Sequence, residues 1–193
     1  MNPLFPRREA LKVAEEIYHK IKPFTERCQL VGSMRRQRRF VHDIEFLYIP
    51  KLSLPMQGMM KELLEDKPIE MVDMTDLLFN ALLKDKTIAK RPNVRGGYTW
   101  GPENKLALHV PSGISVDFFA TSPDNWWVSL VIRTGGKRTN LMLTTGARRR
   151  GLTLHAYGSG FENLSTGERL PCTSERDVFR IAGLRFLEPQ YRP

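Results

Sequence analysis

Asp43-Ile44-Glu45 sets two carboxylates one residue apart in the run from His42 to Ile49, which is bounded by Pro50 and reads as a strand. Side chains alternate along a strand, so Asp43 and Glu45 project together while Ile44 and Phe46 turn toward a core. Neighbouring anions repel unless one is protonated or a cation bridges them, and hard oxygen donors select magnesium, calcium or manganese. Taken alone, the pair reads as a solvated strand face. A third acid shifts that reading. The run from Ile114 to Ala120 is again strand-like, with Ile114, Val116 and Phe118 on one face and Asp117 on the other beside Ser115. If the two strands are neighbours, three carboxylates converge. Such a patch can hold two cations, one lowering the pKa of an attacking hydroxyl and one neutralising a triphosphate. The alternative is that Asp117 only ends its strand or caps a helix starting at Ser122-Pro123. Upstream, Gly32-Ser33-Met34-Arg35-Arg36 joins a tight turn to arginines. N–H groups of a turn that opens onto a short helix point at an anion.

The elements that must position these groups follow from start and stop signals. Pro6 in a first turn, then Leu11, Ala14, Tyr18 and Ile21, predict an amphipathic helix to about Lys22. Cys28 to Val31 reads as a short strand entering the Gly32-Ser33 turn. Helical patterns recur at Gly58 to Glu65 and Met74 to Lys84, and Ile88 to Val110 reads as a β-ribbon turning at Gly96-Gly97 and near Gly101-Pro102. A helix begins at Ser122-Pro123 and is broken by Gly135-Gly136. Another runs from Lys137 to Arg150 and stops at Gly151. A small β-region from Leu152 to about Leu170 precedes a last helix from Ser174 to Ala182. This mixed order argues an α+β fold, in which Trp126 and Trp127 fall at core spacing as hinge or core residues.

Thirty Lys and Arg against 21 Asp and Glu give a net charge of +9 over 193 residues, a balance that suits a polyanionic partner. The charge is clustered, at Arg35, Arg36, Arg38 and Arg39 and again at Arg148, Arg149 and Arg150. Cys28 and Cys172 lie far apart, and with four histidines they give no zinc spacing. The sequence shows neither a signal-peptide core nor a run of membrane-spanning length, so the expectation is a soluble, cytoplasmic monomer.

The order of these motifs resembles the palm and thumb of family X DNA polymerases, the group typified by DNA polymerase β. Phe5-Pro6-Arg7-Arg8-Glu9 is similar to the family's palm-helix opening, and the Gly32–Arg36 and Asp43–Glu45 segments stand at the family's interval. Ile114–Asp117 is similar to the strand of its third acid, and Thr134-Gly135-Gly136 with Asn140 to its thumb opening. Ser174–Phe179 and Glu188-Pro189-Gln190-Tyr191-Arg192 resemble its C-terminus. The resemblance implies a nucleotidyltransferase palm at 1–122 and a small α+β thumb at 123–193, a minimal layout similar to the short viral members, which would work in the host cytoplasm.

The implied activity is template-directed addition of dNMP from a dNTP to a primer 3′-hydroxyl, with two Mg2+ ions (Mn2+ as substitute) and a primer–template or gapped DNA as partner in short-gap repair. The open alternatives are a nucleotidyltransferase that works without a template or on RNA or another substrate, and a catalytically silent nucleic-acid binder. By resemblance Asp43, Glu45 and Asp117 hold the metals, and Asp117 takes the primer's proton. Gly32, Ser33, Arg36 and His42 take the triphosphate, and Gly135 and Asn140 meet the base. Lys137, Arg138, Arg148, Arg149 and Arg150 become template-strand contacts. Arg35, Arg38 and Arg39 touch DNA phosphates or lie in water.

Three positions depart from the family pattern. Glu45 stands for its aspartate, so either the backbone compensates or activity is slow or prefers manganese. His42 replaces its glycine, and Ile132-Arg133 replaces its aromatic pair, which puts exclusion of ribonucleotides in doubt. The stretch with Arg91, Arg95, Tyr98, Trp100 and Lys105 either grips nucleic acid or packs the palm.

Overall fold

The computed structural model describes residues 3–54, 71–155, 158 and 160–193. In chain order these form β1 (Phe5–Pro6), α1 (Arg7–Ile21), β2 (Thr25–Leu30), α2 (Gly32–Arg35), β3 (Phe40–Val41), β4 (Asp43–Pro50), β5 (Leu52–Ser53) and β6 (Val72–Asp73). Then follow α3 (Met74–Lys84), β7 (Ile88–Lys90), β8 (Asn104–His109), β9 (Ile114–Ala120), α4 (Trp126–Thr134), α5 (Lys137–Arg149), β10 (Leu152–His155), β11 (Gly160–Asn163), β12 (Arg169–Leu170) and α6 (Glu175–Ile181). The fold is α+β, as the patterning predicts. The helix expected at Gly58 to Glu65 lies outside the described residues. Among the described residues no helix is long and apolar enough to cross a membrane.

Five strands make the main sheet in the order β2-β4-β9-β8-β7. The central pair, β4 and β9, runs parallel and the other neighbours are antiparallel. Period-two alternation gives this sheet two different faces. Ile44, Phe46 and Tyr48 of β4 and Val116 and Phe118 of β9 point to one side, where Ala10, Ala14 and Ile17 of α1 and Leu78, Phe79 and Leu82 of α3 cover them. Rings supply much of that contact, with Phe79 4.7 Å and Phe46 5.9 Å from Phe118 between centroids. α3 starts where Asp73 caps it, its side chain accepting from the Thr75 N–H.

The opposite face is apolar at one end only. Val31, Leu47, Ile49 and Phe119 lie under Trp126 and Leu130 of α4, whereas Asp43, Glu45 and Asp117 occupy the other end of the same face. Trp126 is buried, and the guanidinium of Arg27 on β2 lies 4.2 Å from its ring centre and 4.7 Å from that of Trp127. Trp126 thus ties α4 to the sheet, which bears out the hinge-or-core reading. Trp126→Ala is expected to lower unfolding free energy by about 3–5 kcal/mol, the scale of deleting a buried indole. The shift of a urea-unfolding midpoint measures it. The remaining elements gather around Val131, Leu143, Leu152, Phe161, Val178 and Phe179, a separate apolar cluster built from α4 to α6 and the β10-β11-β12 sheet.

Two expectations need correction. The ribbon from Ile88 to Val110 is a strand pair only at its base, where β7 and β8 align. Residues 91–103 form a loop held by single bridges, Pro92 to Tyr98 and Trp100 to Lys105. Two prolines remove ladder donors there and three glycines weaken strand geometry. The helix expected from Ser122-Pro123 begins instead at Trp126, because Asn125 N–H and Trp126 N–H first close turns onto Ser122 O and Pro123 O.

Candidate active site

The parallel register of β4 and β9 pairs Asp43 with Ser115 and Glu45 with Asp117. Directly paired residues of neighbouring strands share a face, so the three acids meet on one patch. Burial leaves their charge poorly solvated. Glu45 is pushed up to about 8, first by burial and then by the charges of Asp43 and Asp117. Asp117 is raised to about 6 by burial, against the pull of Arg91. Burial raises Asp43 too, opposed by Arg91, His42 and Arg36. Three hard-oxygen donors with unsatisfied repulsion fit divalent cations in type and in register. Their side chains are nevertheless not drawn into one ligand cluster, and no such cluster occurs among the described residues. Asp117 is instead paired with Arg91, whose Nη2 donates to Oδ2 at 2.6 Å and to Oδ1 at 2.8 Å.

Beside the acids, Val31 is extended and Gly32 turns at φ +62° to open α2. A β-carbon on Gly32 would sit 1.7 Å from Glu45 Oε2, so the turn needs glycine for both its backbone and the close carboxylate. Gly32→Ala is expected to cost about 2 kcal/mol or more, from left-handed strain and displacement of Glu45 together. Chemical denaturation of the variant checks it.

Ser33 Oγ and Arg36 Nε are buried here without a hydrogen-bond partner among the described residues. Buried polar atoms are normally paired, so an orphaned hydroxyl and an orphaned guanidinium N–H three residues apart on one turn fit an incoming anion. Arg36 Nη1 donates to the Thr134 carbonyl, which connects this turn to the end of α4. There Gly135, at φ +66°, would bring a β-carbon within 3.1 Å of Arg36 Nη1. Asn140 of α5 donates from Nδ2 to the Ile132 carbonyl at 2.8 Å, and its buried Oδ1 is a further orphan in the same region.

Other expected contacts stand elsewhere. The His42 ring is turned away, with Nδ1 3.1 Å from the Pro3 carbonyl, so only its backbone could serve a phosphate. Arg35 does not face solvent. Its two Nη atoms grip Glu175 at 2.8 Å each, and Nη1 also donates to Thr134 Oγ1 at 2.7 Å. Arg38 donates to the Arg192 carbonyl at 2.9 Å. Arg39, Lys137, Arg138, Arg148, Arg149 and Arg150 are exposed. Trp100 of the 91–103 loop packs edge-on against Phe79, and Lys105, just beyond it on β8, is buried between Gly101 O and Asp76, both at 2.9 Å. Those two belong to the core, leaving Arg95 and Tyr98 exposed. Two cavities, of 360 and 460 Å3, flank Ser122 and Trp127 respectively, and none of the three acids lines either.

Sequence reasoning set Arg133 only in the place of the family's aromatic pair, not as a charge beside the acids. One helical turn beyond Leu130, its guanidinium lies 3.6 Å from the Phe119 ring centre and donates to Asn104 Oδ1 at 3.1 Å. Burial draws its pKa down to about 10, while Glu45 and Asp117 pull the other way. Burial therefore opposes the charged form of the arginine and of the acids alike, and at neutral pH the arginine stays protonated. The available signal was a lone charge in the otherwise apolar run of α4. Arg91 offered no signal beyond its type.

A mixed sheet with acids on its two parallel strands, next to a glycine turn with unpaired anion-binding groups, defines the class of site. Residues 129–193 match the family described as DNA polymerase beta thumb. Over 191 residues the chain is 25% identical to "DNA polymerase/3'-5' exonuclease PolX" of Bacillus subtilis (strain 168), a match covering 97% of this chain and 28% of that protein. Both matches are similarities to DNA polymerases of the family X type, and the chain spans less than a third of the length of that relative.

Proposed function

We propose that the protein is a template-directed DNA polymerase of the family X type, adding dNMP from a dNTP to a primer 3′-hydroxyl in short gaps. The palm would be 1–122 and the thumb 123–193. The observation that carries the reading is the in-register pairing of Glu45 with Asp117 beside the orphaned Ser33 and Arg36 donors. Asp43, Glu45 and Asp117 would hold the divalent ions, Mg2+ or Mn2+. Those ions supply charge neutralisation and a lower pKa for the attacking hydroxyl.

This chain's own residues do the rest. Ser33 Oγ, Arg36 and the backbone of the Gly32 turn bind and orient the triphosphate, which is most of what phosphoryl-type transfer asks of a protein. Asp117, on the strand facing Glu45, accepts the primer hydroxyl's proton. Gly135 and Asn140 approach the base. The exposed row of Lys137, Arg138 and Arg148 to Arg150 meets the template phosphates, giving steep salt dependence.

The test is primer extension on a gapped duplex with each dNTP singly, in Mg2+ or Mn2+. Insertion of the complementary base is the expected result. Untemplated addition would discard the template, and binding without extension would discard the enzyme.

A further inference from the structure

Asp117 already has a cationic partner. Arg91 follows edge strand β7, and its N–H donates to the Leu106 carbonyl at 3.1 Å. Leu106 is in turn paired with Asp117 across β8 and β9, so the arginine stands two strands from the acid. Its side chain crosses that distance and closes a fork on the carboxylate, at 2.6 and 2.8 Å from Nη2 and 3.3 Å from Nε. Side-chain exposure is 8% for Asp117 and 22% for Arg91. The same guanidinium is the leading opposing charge on Asp43. Both oxygens of the third acid thus accept from one guanidinium, whose positive charge occupies the place beside them that a cation would take. Arg91 is also the root of an exposed loop, 92–99, where Val94, Arg95 and Tyr98 face solvent and Asn93 N–H closes onto Gly97 O at 2.7 Å.

We infer that Arg91 is a displaceable internal counter-ion, which holds Asp117 in the free protein and must release it before a divalent cation binds there. It is a positioning residue, since it acts through Asp117. A planar guanidinium fork matches phosphate as well as carboxylate, so a nucleic-acid strand lying along the loop offers the released Arg91 a new acceptor. Cation entry and DNA engagement then strengthen each other, and by linkage the coupling is the same from either side. The inference rests on the metal-dependent reading above, but it concerns the order of events at the site.

The experiment is Mn2+ binding to the full chain, followed by electron paramagnetic resonance without nucleotide, with and without a gapped DNA duplex. Native protein is compared with Arg91→Gln, Arg91→Lys and Asp117→Asn. Without DNA, Arg91→Gln is expected to bind Mn2+ about tenfold more tightly than native, the equivalent of ~1.4 kcal/mol. Arg91→Lys, which keeps the charge without the fork, falls between and supplies the readout if the glutamine variant does not fold. DNA tightens Mn2+ on the native chain but adds little for Arg91→Gln. Equal Mn2+ affinity in native and Arg91 variants, with Asp117→Asn still weakened, overturns the counter-ion role and leaves the metal reading standing. Mn2+ binding indifferent to Asp117→Asn overturns both.

Discussion

Asp117→Asn is expected to suppress primer extension on the order of a thousandfold, the upper range for removing one preorganised charged group from a reacting centre, with DNA affinity largely kept. The substitution is nearly isosteric, and its amide oxygen can still accept from Arg91. Stability should not fall with activity, and the sign follows from the titration. Asp117 is held at about 6, above its ordinary 3.8, because burial opposes its charge. A raised acid is stabilised in its neutral form, so the fold gives up stability as pH climbs from 3.8 toward 6, and an uncharged asparagine does not. Primer extension by gel and thermal unfolding at pH 7 test both halves. Full extension by the variant removes Asp117 from the proposed mechanism, and loss of activity together with a large fall in melting temperature would make the residue structural.

Glu175→Ala is expected to destabilise the protein by about 3–5 kcal/mol, the cost of leaving buried charges without their partner. Glu175, at the start of α6, receives both Nη atoms of Arg35 and, at 3.1 Å, Nη1 of Arg192. Arg192 is 0% exposed and also donates from Nε to the Leu187 carbonyl. The cluster joins the Gly32–Arg35 helix to the chain's last residues, where the Pro193 carbonyl sits so close to Gly136 that a β-carbon there would lie 2.4 Å away. Burial pushes Glu175 upward, yet the hydrogen bond from Arg35 and the charge of Arg192 outweigh it and hold the carboxyl below its ordinary range. Burial draws Arg192 down as well, so the pair carries a desolvation cost on its basic side.

A depressed acid contributes stability that is complete above its unfolded value, about 4.5, and is lost as pH falls through the lower folded value. Urea midpoints measured from pH 7 to 3 should therefore drop more for native protein than for Glu175→Ala, and the two curves should converge in acid. Parallel curves would show that this carboxylate is not the one whose protonation matters.

Both clusters mark the limit of what patterning can convey. The strands of Asp43 and Asp117, the turn at Gly32 and the helices from Met74 and Lys137 were legible because alternation, a glycine stop or a helical repeat leaves a periodic trace. The ribbon from Ile88 to Val110 was misread because its glycine turns suggested paired strands, whereas the prolines at 92 and 102 remove ladder donors and the pairing survives only at its base and in single bridges. Arg35 resembled a DNA contact by charge and position alone. Nothing local announces that its acceptor is a glutamate 140 residues later.

The order of amino acids by itself determined which residue types face which side of each strand, and so that Asp43 and Glu45 emerge together. Tertiary structure alone decided that β4 and β9 are parallel neighbours in the register that sets Asp117 against Glu45, and that Arg91 and Arg133 supply the charges beside them. The physical reason is range. Alternation and capping act within a few residues and are written into the chain, whereas ion pairing depends on which distant segments the apolar cores bring within about 4 Å, where charges removed from water interact strongly.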